Sequence, residues 1–399
     1  MNRTILLTGG TGFLGSHLGY QFLKRGGRVI YLARGNRGHS ARQRVELLLR
    51  HLDPDHARTC PGSFEIWEGD VTQPGLGLDQ DAVARWRGKI DEVWHSAAVL
   101  HFRENLEPLT ETINIQGTVN VLDAAHALGV RRFHHISTAY VSGTAEGTVY
   151  EEKAAFTSFR NPYERTKHDA ELRVREKSAV YGLDTTIYRP AVIVGDSRTG
   201  DTMSFTGFYN LAKVFYLFKR LLTRKIKENP ELCRGAGVYT DGTGVHFPLR
   251  FPCARQGTVN MIPVDYVVDT IMKLSGTAEA SGQTFHITHP DPPHIVELFT
   301  AGCRMIGLHG IEFVDCTFTE ALHIIHDEIK RYARLGVNIS FCLEIREYIH
   351  YLFGEPMFDI SNVRKTLRTG FHEPPRITPQ FLRMLLDFAT ACQWKSPIV

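Results

Sequence analysis

The chain has 399 residues, 43% of them hydrophobic, which is enough for one large buried core and a smaller appended region. The 46 basic and 43 acidic residues leave a net charge of +3, which argues against nucleic-acid binding and gives no strong attraction to a membrane. The seven cysteines are widely spaced without a C-x-x-C pair, so we expect reduced thiols in a cytoplasmic protein rather than disulfides or a metal site.

Strand and helix patterns alternate over the first 190 residues. The apolar runs RTILLTG and RVIYLA predict two buried strands with a helix over 13–24 between them. A basic helix is expected over 40–52 and a longer helix over 107–128. Further strand patterns are FEIWEGD, DEVWHSAA, RRFHHIST and LDTTIYRPAVIVG. This alternation predicts parallel βαβ units in a Rossmann-type, doubly wound α/β sheet.

The pattern changes after Gly195. Residues 198–257 combine an aromatic, basic helix with a glycine-rich stretch, 258–289 return to strand and helix patterns, and 290–399 are mostly helical in pattern. We therefore predict a Rossmann domain of 1–197 that is completed by 258–289. The other two segments are expected to form a smaller, mostly helical substrate-binding region interleaved with it.

Three glycines follow the first predicted strand and open the first predicted helix. Gly9, Gly12 and Gly15 form a G-x-x-G-x-x-G pattern in LLTGGTGFLGSHL. Small residues let the backbone turn tightly and approach a pyrophosphate, and the helix N-terminus attracts that anion. A purely structural turn is the alternative, but this context favours a dinucleotide site. The candidate cofactor contacts of the loop are the three glycines with Thr11, Phe13 and Leu14.

The second predicted strand ends in YLARG, where NAD-binding folds often place an acidic residue against the ribose 2′-hydroxyl. This chain has Ala33 followed by Arg34, with Arg37 nearby. Arginine binds a 2′-phosphate that a carboxylate would repel, so we expect NADP(H) rather than NAD(H). The alternative is a solvated surface arginine.

Other candidate contacts follow the third and fourth predicted strands. Asp70 in EGDVT is placed to accept a hydrogen bond from adenine, with Val71 beside it. Ala97 and Ala98 in HSAAV are small enough for a cofactor to lie against the backbone. All of them fall at the carboxyl ends of strands, where open α/β sheets bind ligands.

A tyrosine and a lysine share one face of a predicted helix. Asn161 suits the N-cap and Pro162 the first turn, and the helix is expected to reach about Val180. Tyr163 and Lys167 are four residues apart, and a nearby ammonium would lower the phenol pKa from its ordinary value of about 10. On its own, such a pair is more often two unrelated surface residues.

A nearby hydroxyl favours the catalytic interpretation of this pair over two unrelated surface residues. Thr138, with Ser137 beside it, ends the fifth predicted strand in HHISTAYVSG, 25 residues before the tyrosine. A hydroxyl, a phenol and an ammonium downstream of a dinucleotide loop predict a hydride-transfer site with an oxyanion partner and a proton donor.

At this point the chain resembles the extended short-chain dehydrogenases/reductases, on TGGTGFLG, GDVT, HSAAV, ISTAYVSG, YERTK and YRPAVIVG. Within them it is most similar to the thioester-reductase branch: the terminal reductase domains of carboxylic acid reductases and nonribosomal peptide synthetases, and the fatty acyl-CoA reductases. The branch resemblance rests on YLARGNRGHSARQRVELLL, EGDVTQPGLGLDQDAVARW, YRPAVIVGDSRTGD and IPVDYVVDTI.

The resemblance implies a catalytic triad of Thr138, Tyr163 and Lys167. It implies NADPH contacts from Arg34 and from Arg42 or Arg44, and a nicotinamide-lining segment with Pro190 and Val192. It also implies that Asn114 in TINIQGT supports the lysine through water. Residues 201–257 and the tail after 290 do not match closely enough to transfer a substrate preference, and any carrier-bound substrate is expected to come from another protein.

The predicted function is NADPH-dependent reduction of an acyl thioester, delivered by CoA or a carrier protein, to aldehyde or on to alcohol. The alternatives are a reductase or epimerase of a sugar nucleotide or small ketone, and a non-catalytic NADP-binding protein. The basic side chains of the aromatic helix would contact a carrier protein, or a membrane at most peripherally, or simply face solvent. Its aromatic side chains and one leucine would line an acyl tunnel or fill a core; they are Phe205, Phe208, Tyr209, Leu211, Phe215, Tyr216 and Phe218.

Overall fold

The computed structural model describes residues 3–152, 155–336 and 347–396. Seven strands form the central sheet: β1 Thr4–Thr8, β2 Arg28–Ala33, β3 Ser63–Glu68, β4 Glu92–His95, β5 Arg132–Ile136, β6 Asp184–Pro190 and β7 Thr284–Ile287. Their order is β7-β6-β5-β4-β1-β2-β3, and all neighbours are parallel. The strand order reverses between β1 and β4, which is the switch point where such sheets bind ligands. The predicted Rossmann-type fold is confirmed.

Helices cover both faces of the sheet because the strands alternate apolar side chains to either side. In β1, Ile5 and Leu7 pack with the helices over 13–24 and 264–274, whereas Leu6 packs with the helix over 117–127 and with Val174. The helices are α1 Phe13–Lys24, α2 Ala41–Leu52, α3 His56–Thr59, α4 Gln80–Trp86, α5 Glu107–Glu111, α6 Gly117–Ala127, α7 Pro162–Tyr181, α8 Phe208–Glu228, α9 Pro230–Gly235, α10 Val264–Leu274, α11 Ile295–Met305, α12 Phe318–Ala333, α13 Ser361–Leu367 and α14 Pro379–Ala391.

Two predicted elements of the Rossmann part are interrupted. The helix predicted over 107–128 contains a π-helical turn, Thr112–Gln116, between α5 and α6. The strand predicted from LDTTIYRPAVIVG divides after β6, because Ala191 N–H still bonds to Ile287 of β7 whereas Val192 N–H bonds to Asn260. The chain thus changes partner, and Val192–Val194 pairs with Met261–Pro263 in a separate two-stranded sheet.

Among the described residues, two further apolar clusters are built mainly from helices outside the central sheet. One joins α8, α11 and α12, and the other joins α8, α11 and α14. Short strands accompany these helices: Tyr239–Asp241, Gly244–His246, Arg250–Cys253, Leu308–His309, Glu312–Asp315 and Met357–Phe358. None of these six strands was predicted, since two to four residues carry too little alternation. The division into two units stays a prediction.

Two further features of the fold concern the state of the cysteines and the apolarity of the helices. Six cysteines are free thiols, and Cys342 lies outside the described residues. Across the described part of the chain, no helix is both long and apolar enough to cross a bilayer.

Candidate active site

One cavity of about 350 Å³ joins the glycine loop to the carboxyl ends of the central strands and the start of α7. Thr138, Tyr163 and Lys167 all line it, so the structure brings the three predicted catalytic side chains together. The predicted cofactor contacts that also line it are Gly9, Gly12, Phe13, Leu14, Gly15, Ala98, Pro190 and Val192. The sheet switch point and the Tyr–Lys helix therefore meet at a single site.

The glycine loop packs so closely against nearby backbone that a Cβ on Gly9 or Gly15 would clash with it. Gly9 has φ +69°, and a Cβ there would lie 2.5 Å from the backbone nitrogen of Ala97. A Cβ on Gly15 would lie 2.2 Å from the Gly9 carbonyl, which accepts a 2.9 Å hydrogen bond from Gly12 N–H. Gly12 caps α1 with no side-chain hydrogen bond, leaving first-turn N–H groups available to an anion. The loop thus fits a dinucleotide pyrophosphate.

The ends of β2 and β3 carry the predicted ribose and adenine contacts, and these lie outside the cavity. Arg34 is 66% exposed, and its Nη1 lies 2.5 Å from Asp70 Oδ2. Arg44 Nη1 donates a 2.7 Å hydrogen bond to the Arg34 carbonyl, and burial together with the Arg34 charge lowers the Arg44 pKa. Asp70 is therefore engaged by Arg34, while the Arg44 guanidinium is bonded to the backbone at the end of β2.

Of the two titrating groups of the candidate triad, Lys167 is buried and Tyr163 is partly buried. Burial raises the pKa of Tyr163 to about 12, although a hydrogen bond with Thr138 acts in the opposite direction. Burial lowers the pKa of Lys167 to about 8, and its Nζ donates a 2.7 Å hydrogen bond to the Ile136 carbonyl. The pKa of Tyr163 is therefore not lowered, contrary to the prediction. Desolvation of the phenol dominates, and the Lys167 ammonium is hydrogen-bonded to the β5 backbone. A phenol with this pKa is a neutral proton donor at physiological pH.

Thr138 and its neighbour Ser137 are held by the structure behind them. The Thr138 hydroxyl lies 3.3 Å from Tyr140 N–H and 3.4 Å from the Pro190 carbonyl. Ser137 Oγ donates a 2.8 Å hydrogen bond to the buried carboxylate of Glu171, on α7. Both hydroxyls at the end of β5 are thereby positioned by α7 and by the end of β6.

Asn114 has hydrogen-bond partners other than the one expected. Its Oδ1 accepts from Val99 N–H at 2.9 Å, and its Nδ2 donates to the Val99 carbonyl and to Thr166 Oγ, each at 3.1 Å. It lies in the π-helical turn and ties the segment after β4 to α7, one residue from Lys167. A link to the lysine through water stays a prediction. Of the remaining predicted contacts, Thr11, Val71 and Ala97 do not line the cavity.

An aromatic wall faces the triad, and the sequence analysis did not identify it. It consists of Phe102, Tyr140, Phe299, Tyr348 and Tyr351. The Phe102 ring lies 6.1 Å from that of Tyr163. Tyr351 donates a 2.7 Å hydrogen bond to Glu164 and accepts one of 2.8 Å from Asn161, which joins the C-terminal region to the start of α7. Tyr348 and Tyr351 lie in REYIHYLF, which carries no motif of its own.

Both roles considered for the aromatic side chains of α8 occur. Phe208 and Leu211 line the cavity. Phe218 instead packs in a core cluster, with its ring centroid 4.8 Å from that of Phe247, and the ring centroids of Phe215 and Phe251 are 5.5 Å apart. The helix therefore contributes one face to the site and another to the core.

A glycine loop at the switch point of a doubly wound sheet, with a Tyr–Lys helix in the same cavity, defines an oxidoreductase of the extended short-chain dehydrogenase/reductase class. Residues 7–271, more than half of the chain, match the NAD-binding family described as male sterility protein, and the chain belongs to that family. The predicted family is confirmed, and with it a nicotinamide dinucleotide as the cofactor.

Relatives and solved structures agree with this assignment. The carboxylic acid reductase of Mycobacterium marinum is 26% identical over 309 residues, which cover 72% of this chain and 24% of that protein. The terminal R domain of the myxalamid PKS-NRPS pathway has a TM-score of 0.76 at 23% identity, covering 99% of this chain and 92% of that one. UDP-glucuronic acid 4-epimerase of Bacillus cereus, solved with NAD, has a TM-score of 0.61 at 18% identity, covering 97% and 99%.

The last two likenesses concern the fold alone. The chain spans between 12% and 24% of the length of three curated relatives that it matches. Their whole activities therefore do not transfer directly to this chain.

Proposed function

We propose that the protein uses NADPH to reduce an acyl thioester to an aldehyde, with Thr138, Tyr163 and Lys167 as its catalytic residues. The observation that carries the proposal is that these three side chains line the same cavity as the glycine loop. The mycobacterial relative, a carboxylic acid reductase, supports the same chemistry.

The chain's own residues supply the proton and stabilise the oxyanion. NADPH held at the glycine loop would supply the hydride for the thioester carbonyl carbon. Tyr163, neutral because burial raises its pKa to about 12, donates its proton to the carbonyl oxygen, and the Thr138 hydroxyl donates a second hydrogen bond. The hemithioacetal then returns its hydroxyl proton to Tyr163 as the C–S bond breaks, and the departing thiolate takes a proton from solvent. A second reduction would give the alcohol.

Two arginines support NADPH over NADH. Arg34 and Arg44 lie together at the end of β2, and no carboxylate occupies the residue after Ala33. An arginine pair offers charge-assisted hydrogen bonds to a 2′-phosphate. Asp70 competes for Arg34 through its 2.5 Å ion pair, so phosphate binding would exchange one partner for another.

The thioester would come from CoA or from a carrier protein. Two of the matched proteins support a carrier: the myxalamid R domain, and a thiolation-reductase di-domain from an archaeal nonribosomal peptide synthetase. The basic side chains of α8 are the candidate contacts for an acidic partner, and they are Lys213, Lys219, Arg220, Arg224, Lys225 and Lys227.

A sugar-nucleotide epimerase is the second candidate, because the fold resembles UDP-glucuronic acid 4-epimerase. The apolar lining of the cavity argues against an epimerase. Part of the cavity wall is hydrocarbon, including Leu211, Leu298 and Phe299, and a sugar hydroxyl buried against that part would lack a hydrogen-bond partner. A non-catalytic NADP-binding role is the third, and the retained tyrosine and lysine oppose it.

A substrate panel tests the proposal. Purified protein with NADPH is incubated with acyl-CoAs, acyl-carrier proteins and UDP-sugars, while cofactor absorbance is followed and products are identified by mass. Aldehyde or alcohol from a thioester, abolished in Tyr163→Phe, is the expected result. Turnover of UDP-sugars alone would favour the epimerase, and tight NADPH binding without any turnover would favour the third candidate.

A further inference from the structure

A second, smaller cavity of about 30 Å³ lies between α8, α11 and α14, and we call it the distal pocket. Ala212 contributes from α8, Gly302 and Cys303 from α11, and Leu386 from α14. Within the described residues, its wall contains only hydrocarbon rings, aliphatic groups, a glycine and one thiol. Such a space favours an apolar occupant, since an oxygen or nitrogen atom placed there would lose its hydrogen bonds to water.

The distal pocket is separated from the candidate active site by a wall one side chain thick. Phe208, Leu298 and Phe299 line both cavities. Along α11 the lining passes from Ile295 in the active-site cavity to Cys303 in the distal pocket, a distance of about 12 Å at 1.5 Å per residue. One helix face therefore leads from the triad to the distal pocket.

We propose that the distal pocket receives the end of a saturated acyl chain whose thioester carbonyl lies at Thr138 and Tyr163. This inference rests on the proposed function and names its substrate class: apolar acyl groups rather than aminoacyl or peptidyl groups. The chain passes between Phe208 and Phe299, whose side chains turn aside to join the cavities. Each methylene buried in this way should raise affinity about fourfold.

Gly302 lines the distal pocket and has room for a side chain. A Cβ built on it meets no heavy atom within 4 Å, so a side chain at this position extends into open volume. Gly302→Leu should fill the pocket. Gly302→Ala is the matched control, because it removes a helix-weakening glycine from α11 and leaves most of the space. Ala212→Leu fills the same pocket from α8 if Gly302→Leu does not fold.

The test measures binding separately from turnover. Calorimetry compares butyl and dodecyl pantetheine thioethers, which are not reduced, and kinetics compare butyryl-CoA with dodecanoyl-CoA. The wild-type protein and Gly302→Ala should bind the dodecyl compound at least tenfold more tightly, and Gly302→Leu should lose that preference while still binding the butyl compound. Equal binding of both compounds by the wild-type protein, or an unchanged preference in both filled variants, would overturn the inference.

The binding result also separates this inference from the proposed function. Length-dependent binding without reduction of any thioester would support the inference about the distal pocket and contradict the reductase proposal. Reduction of thioesters without length-dependent binding would support the reductase proposal and overturn the inference about the distal pocket.

Discussion

The ammonium of Lys167 donates a 2.7 Å hydrogen bond to the backbone carbonyl of Ile136, two residues before Thr138. This bond joins α7 to the end of β5 at the point where each contributes a candidate catalytic group. Burial lowers the pKa of Lys167 to about 8, and the nearby charge of Glu171 only partly opposes that effect. The charge on this lysine is therefore sensitive to pH in the range where the protein would operate.

We expect kcat/KM to fall as pH rises through about 8. Lys167 is protonated below that value and neutral above it, and the neutral amine no longer supports the oxyanion that forms beside Tyr163. Steady-state rates between about pH 6 and about pH 10 measure the effect, with NADPH affinity followed over the same range as the control. A profile that stays flat up to about pH 10 would show that the lysine charge is not required.

Tyr163→Phe should lower kcat by about 100-fold or more, because the proton donor is lost, while NADPH binding stays near that of the wild-type protein. Kinetics measure the first effect, and fluorescence titration of the cofactor measures the second. Tyr150→Phe is the matched control, since Tyr150 is 58% exposed and lies outside the cavity. Unchanged turnover in Tyr163→Phe would remove it from the mechanism.

Arg34→Ala should weaken NADPH binding about tenfold or more, and NADH binding much less. The variant loses a charge-assisted contact to the 2′-phosphate and also leaves the Asp70 carboxylate without this partner, so that it repels the phosphate. Arg50→Ala, at an exposed position in the last turn of α2, is the control for lost positive charge. Equal weakening of both cofactors would mean that Arg34 does not recognise the 2′-phosphate.

Features set by neighbours in sequence were predictable. Asn161 caps α7 by accepting a 3.0 Å hydrogen bond from Glu164 N–H, and Pro162 begins that helix, both as expected from their residue types. The glycine loop also follows from local sequence, because glycine adopts the φ of +69° at Gly9 without the strain that a side chain would add.

Features that depend on distant contacts were not predictable. Tyr351 reaches the start of α7 from nearly 190 positions along the chain, and no local pattern announces its bond to Glu164. The division of the predicted sixth strand depends on whether Ile287 or Asn260 accepts the next N–H, which is decided by tertiary packing. The pKa of Tyr163 likewise follows from the burial of its phenol, which its spacing from Lys167 does not encode.

Glu171→Gln should destabilise the protein by about 3–5 kcal/mol at neutral pH, because it removes the carboxylate that offsets the buried charge of Arg189. Burial alone would raise the pKa of Glu171, but the charge and hydrogen bonds of Arg189 hold it at about 2. A pKa depressed in the folded state contributes stability at neutral pH that is lost as pH falls from about 4.5 to about 2. Denaturant unfolding of the variant should therefore show a smaller loss of stability over that acid range. Glu176→Gln, at an exposed position on the same helix, should change stability by less than about 1 kcal/mol, and an equally small effect of Glu171→Gln would contradict the prediction.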